Sequence, residues 1–250
     1  MSAKTILITG ASGGLGAALA RAHARAGVTL LLWGRDEARL NQAAAECRAL
    51  GAACTVDAFD IRDIDGVIAR LSASDACAPI DLAIFNAGLG GIVRDGARAE
   101  APQASRATAE VNFVSPVVGA SLMADVMAQR GGGHIVLVGS IAESYPLPMA
   151  PTYAATKAGL AMFAEALGIR MAKHNVRVTL VSPGFIDTAM SRQVPQAKPF
   201  LMTADAAAAI IIRKIAKGAR RIVVPWQFAV IRAVSNLLPR ALVRAILGRA

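Results

Sequence analysis

Aromatic residues make up only 4% of this 250-residue chain, two tyrosines and two tryptophans among them. With no recognisable nucleic-acid module beside that scarcity, nucleic acid is not an expected partner. Cysteine is sparse too. Cys47, Cys54 and Cys77 are odd in number and lack CxxC spacing, which excludes a disulfide framework and favours buried or inert thiols over a metal or redox site. His23, His134 and His174 are scattered and share no pattern. Charged residues reach only 18% against 55% hydrophobic, yet no uninterrupted apolar stretch reaches the roughly 18 residues needed to span a bilayer. Met1–Gly10 carries one lysine and an apolar run too short for a secretory signal. Cytoplasmic residence is the expectation, and the length suits one domain with a large core.

What is present is alternation. Short apolar runs near residues 4–9, 28–33, 53–58, 81–85, 134–139, 176–182 and 220–224 read as strands, and helical patterns fill the intervals, with long helices at about 104–130 and 151–174. Strands apolar throughout, separated by helices, imply a parallel sheet covered on both faces. The fold class is therefore α/β: a single-domain, Rossmann-like doubly wound sheet of about seven strands, with a helical extension at the carboxyl terminus.

The first strand runs into Gly10-Ala-Ser12-Gly13-Gly14-Leu15-Gly16 and then an alanine-rich helix, Ala17–Ala26. Strand, glycine turn and helix together make a phosphate-site hypothesis. Gly10 permits the tight turn, Gly14 lets backbone approach a pyrophosphate, and Gly16 allows close packing of helix on strand. The helix N-terminus offers free N–H groups and the positive dipole end.

Further along, Tyr153 and Lys157 stand at i and i+4 of a helix, hence on one face. An unperturbed phenol ionises near pH ~10, and a close cation lowers that by roughly 1–3 units. Such a pair suits proton exchange with a hydroxyl or carbonyl. Ser140 follows an apolar strand, at the carboxyl end where α/β sites open.

These motifs, in this order over residues 4 to about 190, resemble the short-chain dehydrogenase/reductase family in its short form. The resemblance implies that Gly10, Ser12, Gly13, Gly14, Leu15 and Gly16 form the cofactor turn. It implies that Asn86, Ala87 and Gly88 lie beside the cofactor, with Pro183, Gly184, Ile186 and Thr188 in the nicotinamide-side loop. Asn112, Ser140, Tyr153 and Lys157 match the family's catalytic tetrad. In that set Tyr153 exchanges the proton, Lys157 tunes it and binds the nicotinamide ribose, Ser140 holds the substrate oxygen, and Asn112 perturbs its helix and holds a relay water. Two departures stand out: Phe85 replaces a common asparagine, and Pro116 replaces a common glycine. Tyr145, the other tyrosine, precedes Pro146 in a loop and reads as a pocket wall.

The second strand ends before Gly34-Arg35-Asp36. NAD sites usually place an acid at that strand end, but Asp36 suits the N-cap of the helix that follows. Gly34 cannot repel a phosphate, and the Arg35 fork can pair with one. NADP(H) is therefore expected ahead of NAD(H). Asp60 and Ile61 match the family's adenine-contacting pair, and Asp60 equally suits a cap for a helix starting near Arg62.

Arg213–Arg249 contains no acid, in a chain of net charge +10. Residues 1–225 read as the NADP-binding catalytic domain and 226–250 as a basic amphipathic extension, with a second helical piece at Arg240–Leu247. Two readings of the extension stand: an interfacial membrane element or lipid-entry site, and a tail packed on its own domain or a partner subunit. The apolar segment Asp187–Thr203, with Met190, Val194, Pro195, Phe200, Leu201 and Met202, reads as a cap over an apolar pocket. The expected substrate is a small-molecule carbonyl or alcohol, hydrophobic or lipid-like. The expected assembly is a homodimer or homotetramer. Against this enzyme stand a silent NADP(H)-binding sensor or scaffold and a membrane-peripheral protein.

Overall fold

A computed structural model describes residues 4–91, 93, 97–194 and 197–235 of the chain. The first unit is β1 (Thr5–Thr9), α1 (Gly14–His23), β2 (Thr29–Gly34), α2 (Glu37–Ala49), β3 (Ala53–Ala58) and α3 (Ile64–Cys77). Then come β4 (Leu82–Phe85) and a long helix in three parts: α4 (Pro102–Ala109), a π turn (Glu110–Val114) and α5 (Ser115–Gln129). β5 (Gly133–Val138) leads through a 3-10 turn (Ile141–Ser144) to α6 (Pro151–Met171) and β6 (Val176–Pro183). The chain continues through α7 (Ala189–Arg192), α8 (Ala204–Ala216), β7 (Arg221–Val224) and α9 (Gln227–Ser235). The seven strands form one sheet in the order β3-β2-β1-β4-β5-β6-β7, each neighbouring pair parallel.

Alternate strand residues feed opposite layers, because successive side chains point to opposite faces. Ile6, Ile8, Leu30, Leu32, Ile84, Val136 and Val181 pack under α1, α2 and α8. Leu7, Leu31, Ala83, Ile135, Leu137 and Leu180 pack under α3, α5 and α6. Burial on both faces is why the central strands are mostly apolar, while the edge strand β3 is half exposed and carries Asp57.

Several expectations meet their outcome here. Asp36 caps α2, its carboxylate accepting from Arg39 N at 3.0 Å. Asp60 does not cap a helix: α3 starts later, and Asp63 caps it by accepting from Gly66 N at 2.9 Å. α1 begins at Gly14 rather than Ala17, so Gly14 and Gly16 belong to its first turn. The bilayer argument needs correcting, since Pro102–Gln129 is long and apolar enough to cross a membrane by length and composition, polar interruptions notwithstanding. Half of that window is buried inside the domain, against α3, β4, β5 and α6, as a core helix would be. The three thiols are all free, Cys47 buried, Cys54 intermediate and Cys77 exposed. Arg240–Leu247, the rest of 236–250 and Pro195 lie outside the described residues.

Candidate active site

After β1 the chain builds β2 and β3 on one flank, then returns to β4 on the other. The loops leaving β1 and β4 therefore diverge and open a crevice at the carboxyl ends of the strands. Thr9, the last residue of β1, ties its two walls together. Its Oγ1 accepts from the N–H groups of Asn86 and Ala87, each at 3.0 Å. In return Asn86 Nδ2 donates to Thr9 O at 3.1 Å and to Gly10 O at 3.4 Å. Thr9 opens the motif that resembles the family's cofactor turn, but its part in tying the two loops together was not foreseen.

That tie leaves no room for a side chain at Gly10 or Gly16. Gly10 has φ +68, and a Cβ there would stand 2.8 Å from Ala87 Cα. At Gly16 a Cβ would stand 2.1 Å from Gly10 O and 2.6 Å from Asn86 Nδ2. A Cβ on Gly14 would meet Thr188 Cγ2 at 3.0 Å, so the turn and the loop after β6 face each other across the crevice. Gly13 looks onto open space, while Leu15 is buried beneath.

At the far end of the crevice, a Cβ on Gly34 would lie 3.2 Å from Ser12 Oγ. Arg35 is exposed beside it. Asp60 is held below its ordinary carboxylate range, chiefly by its hydrogen bonds with Arg62 and to a smaller degree by the charge of Arg35. Arg35 and Asp60 are thus close enough to act on each other, with Ile61 buried behind them.

The other four candidates gather at the ends of β4 and β5. Asn112 sits in the π turn, fully buried, where Oδ1 accepts from Leu89 N at 2.7 Å and Nδ2 donates to Leu89 O at 2.8 Å. It pins the segment after Asn86-Ala87-Gly88, and a Cβ on Gly88 would fall 3.4 Å from Asn112 Oδ1 and 3.8 Å from Lys157 Nζ. Ser140 opens the 3-10 turn, its Oγ accepting from Ala142 N at 3.1 Å and standing near enough to the Tyr153 hydroxyl to act on its proton affinity. Pro151 starts α6, which puts Tyr153 in the first turn and Lys157 on the next. Lys157 is 4% exposed, donates to Val138 O at 3.0 Å and lies 5.8 Å from the centre of the Tyr153 ring.

The proton affinities differ from the sequence expectation. Burial lifts the Tyr153 phenol above its ordinary value; the Ser140 hydrogen bond opposes this and the Glu143 charge adds to it. Burial also drives Lys157 down to about 8, against an upward pull from Glu143. The Tyr–Lys spacing predicted a lowered phenol, but the lysine ammonium sits low and turned toward Val138 O, so desolvation dominates. Glu143 is a residue the sequence reading missed.

Pro183 closes β6, and a Cβ on Gly184 would strike the Phe228 ring at 2.4 Å. Ile186 is buried and pairs with Met202, while Thr188 caps α7 in a box with Ser191. The cap segment does reach across the crevice at one point, since Met190 Cγ lies 3.0 Å from where a Gly90 Cβ would be. Phe200 and Leu201, by contrast, are exposed. They line a cavity of about 510 Å³ with Met202, Pro225 and Trp226. None of Asn112, Ser140, Tyr153 or Lys157 borders it, so it is not the reaction site. Tyr145 is partly buried. Phe85 turns its ring into the core against Gly119, where a Cβ would come within 2.6 Å of it, and so offers nothing to the crevice. Among the described residues no group of histidine, cysteine and carboxylate side chains could hold a metal.

A family model described as short chain dehydrogenase matches residues 4–199. An uncharacterized oxidoreductase of Myxococcus xanthus is 33% identical over 250 residues, 100% of this chain and 98% of the relative. Among solved structures, a short chain dehydrogenase from Burkholderia cenocepacia in complex with NADP is 28% identical, with a TM-score of 0.81 over 98% of this chain and 97% of that one. A bulky-bulky ketone specific alcohol dehydrogenase from Comamonas testosteroni is 25% identical, with a TM-score of 0.78 over 96% and 97%.

Proposed function

The chain belongs to the short-chain dehydrogenase family, and from that premise we propose that it is an NADP(H)-dependent oxidoreductase interconverting a carbonyl and a secondary alcohol on an apolar substrate. The observation that carries this reading is the convergence of Ser140, Tyr153 and Lys157 beside Gly88, where the crevice walls are laced together by Thr9 and Asn86.

The residues present fit a dinucleotide. The crevice floor excludes side chains at Gly10 and Gly16, so backbone N–H groups at the start of α1 would hold a pyrophosphate. At the adenosine end the strand closes on Gly34, whose position against Ser12 leaves no acid to repel a 2′-phosphate, and the Arg35 guanidinium stands exposed next to it. The chemistry a bound dinucleotide supplies is a hydride to the carbonyl carbon.

The side chains deal with the oxygen. As negative charge develops there, the hydroxyls of Ser140 and Tyr153 donate to it, and Tyr153 gives up its proton. In the reverse direction Tyr153 takes the proton from the alcohol. A phenol lifted by burial keeps its proton at neutrality, so the proton that reduction needs is in place. Lys157, near 8, holds its charge at neutrality and stabilises the phenolate that reduction leaves behind. Asn112 keeps Leu89 and hence the loop over Lys157 in place. Met190 reaches Gly90 across the crevice, and this apolar contact supports a hydrophobic substrate.

Tyr153→Phe tests the reading. It should cut kcat for ketone reduction by about 10²–10⁴ while NADPH binding, followed by fluorescence titration, changes little. Retention of most of kcat would remove Tyr153 from the role. Met162 and Ile169, apolar and highly exposed on α6, support pairing of copies through that helix, which sedimentation measures directly.

A further inference from the structure

Glu143 lies three residues beyond Ser140, on the 3-10 turn Ile141–Ser144, and its side chain is only 2% exposed. A carboxylate that deep is disfavoured unless donors and cations face it. Its Oε1 accepts from Ser182 Oγ of β6 at 2.9 Å and from the Arg221 guanidinium of β7, and it faces Arg232 Nη1 of α9 at 3.8 Å. Its Oε2 is buried with no hydrogen-bond partner among the described residues. That oxygen lies 2.9 Å from where a Cβ of residue 139 would stand, so Gly139 is what makes room for it. From the opposite side α6 packs on the same turn and brings Tyr153 and Lys157 within reach of the Glu143 charge. The charged and titratable groups around Glu143 are thus Arg221 from β7, Arg232 from α9, and Tyr153 and Lys157 from α6, with neutral Ser182 from β6.

We propose that Glu143 is a positioning residue of this active site, holding the Ser140 turn against β6 and β7 and linking Arg232 of α9 to the surroundings of Tyr153. The inference rests on the proton-transfer role given to Tyr153 above. α9 is seated at a second point flanking the same site, where Phe228 packs beneath Gly184 and edge-on to Phe185 and Phe200. The start of the carboxyl-terminal extension is in this way part of the catalytic apparatus. Electrostatically, the negative charge of Glu143 makes Tyr153 and Lys157 hold their protons more tightly, and Arg232 partly cancels that charge.

Glu143→Gln keeps the shape and the Oε1 acceptor and removes the charge. The acid limb of the pH profile of kcat/KM for alcohol oxidation should then move to lower pH by about 0.5–1 unit. Arg232→Gln removes the cation facing Glu143, so it should move that limb upward by about 0.3 unit, and by less in the Glu143→Gln background, where only the direct effect of the Arg232 charge remains. A readout independent of turnover comes from the two tyrosines of the chain. In a Tyr145→Phe background, phenolate absorbance of the protein without dinucleotide reports Tyr153 alone, and its midpoint should move in the same directions. Should Glu143→Gln not fold, Arg232→Gln, at a partly exposed position, carries the test by itself. Unmoved profiles and midpoints in both variants, or an Arg232→Gln shift as large without Glu143 as with it, overturn the proposal. Turnover retained by Tyr153→Phe sinks the proton-transfer reading, whereas a dead Tyr153→Phe with unshifted Glu143 and Arg232 variants sinks only this one.

Discussion

The two walls of the crevice are built on opposite principles. The amino-terminal wall, from β1 to β4, works by excluding side chains: backbone meets backbone, and Thr9 and Asn86 stitch the loops together. The carboxyl-terminal wall, from β5 to α9, works by inserting them. Phe228 fills the space that Gly184 leaves, and Glu143 fills the space that Gly139 leaves. A wall of the first kind fails when an atom is added, and a wall of the second kind fails when one is taken away. A glycine can serve either design, so the neighbour that occupies the space, and not the glycine, says which design is in use.

The largest effect should come from adding one carbon to the first wall. Gly16→Ala puts a Cβ 2.1 Å from Gly10 O, which is backbone and cannot swing aside. Displacing it costs about 3 kcal/mol or more and takes the phosphate turn with it. The variant should melt well below wild type and lose measurable NADPH affinity; an unchanged melting temperature would mean that the turn relaxes freely. The corresponding blow to the second wall is Phe228→Ala. Phe228 is largely buried and supports Gly184, Phe185 and Phe200. Its truncation should cost about 2–4 kcal/mol in denaturant unfolding and raise KM for the ketone more than it lowers kcat. If KM and kcat do not move, the extension does not support the loop after β6.

Lys157→Met separates stability from function between the walls. A lysine whose proton affinity falls from 10.5 to about 8 on folding carries a penalty when charged. The sign follows from proton counts: between those two values the unfolded chain binds more protons, so this group's contribution to stability rises with pH. Below pH 8 the full penalty is present, and above 10.5 it is gone. Replacing the ammonium by a thioether, less the donor lost by Val138 O, should therefore stabilise the fold by about 1–2 kcal/mol at pH 7 while turnover disappears. The gain should fade as the pH of the unfolding experiment approaches 10.5. A variant less stable than wild type at pH 7 would show that the hydrogen bond to Val138 outweighs burial.

Legibility in the sequence followed the same division. The strands and the glycine turn could be read directly, because burial on both faces and exclusion of side chains each restrict the residue types allowed. Asn112 inside a long apolar helix and Ser140 at a strand end were visible for a similar reason, being polar where the local pattern is not. The second wall was opaque. The Glu143–Arg221 contact joins residues 78 apart, and no local pattern says which cation a buried acid will find. The alternative of Asp60 as a helix cap failed because the run from Asp57 to Asp65 offers several acids to one helix start, and Asp63 takes the cap while Asp60 bonds Arg62. The direction of the Tyr153 shift was missed because helical spacing gives a neighbour's identity but not how deep the pair lies.

The smallest change in stability should come from Gly13→Ala, and it is the sharpest probe of what the first wall is for. Gly13 has extended backbone and precedes α1, and a Cβ there would meet nothing within 4 Å. Removing a glycine tightens the unfolded chain, and placing alanine at an N-cap weakens the helix start, so the net should stay within about 0.5 kcal/mol. Gly13 directly precedes Gly14, which faces Thr188 across the crevice. If backbone there must come close to a pyrophosphate, the added methyl group should raise KM for NADPH several-fold with kcat little changed, and KM for the ketone should not follow. Equal KM for wild type and variant would place the pyrophosphate elsewhere along the turn. Gly16 is then excluded space for the fold and Gly13 reserved space for the ligand, a distinction that one added carbon at each position can measure.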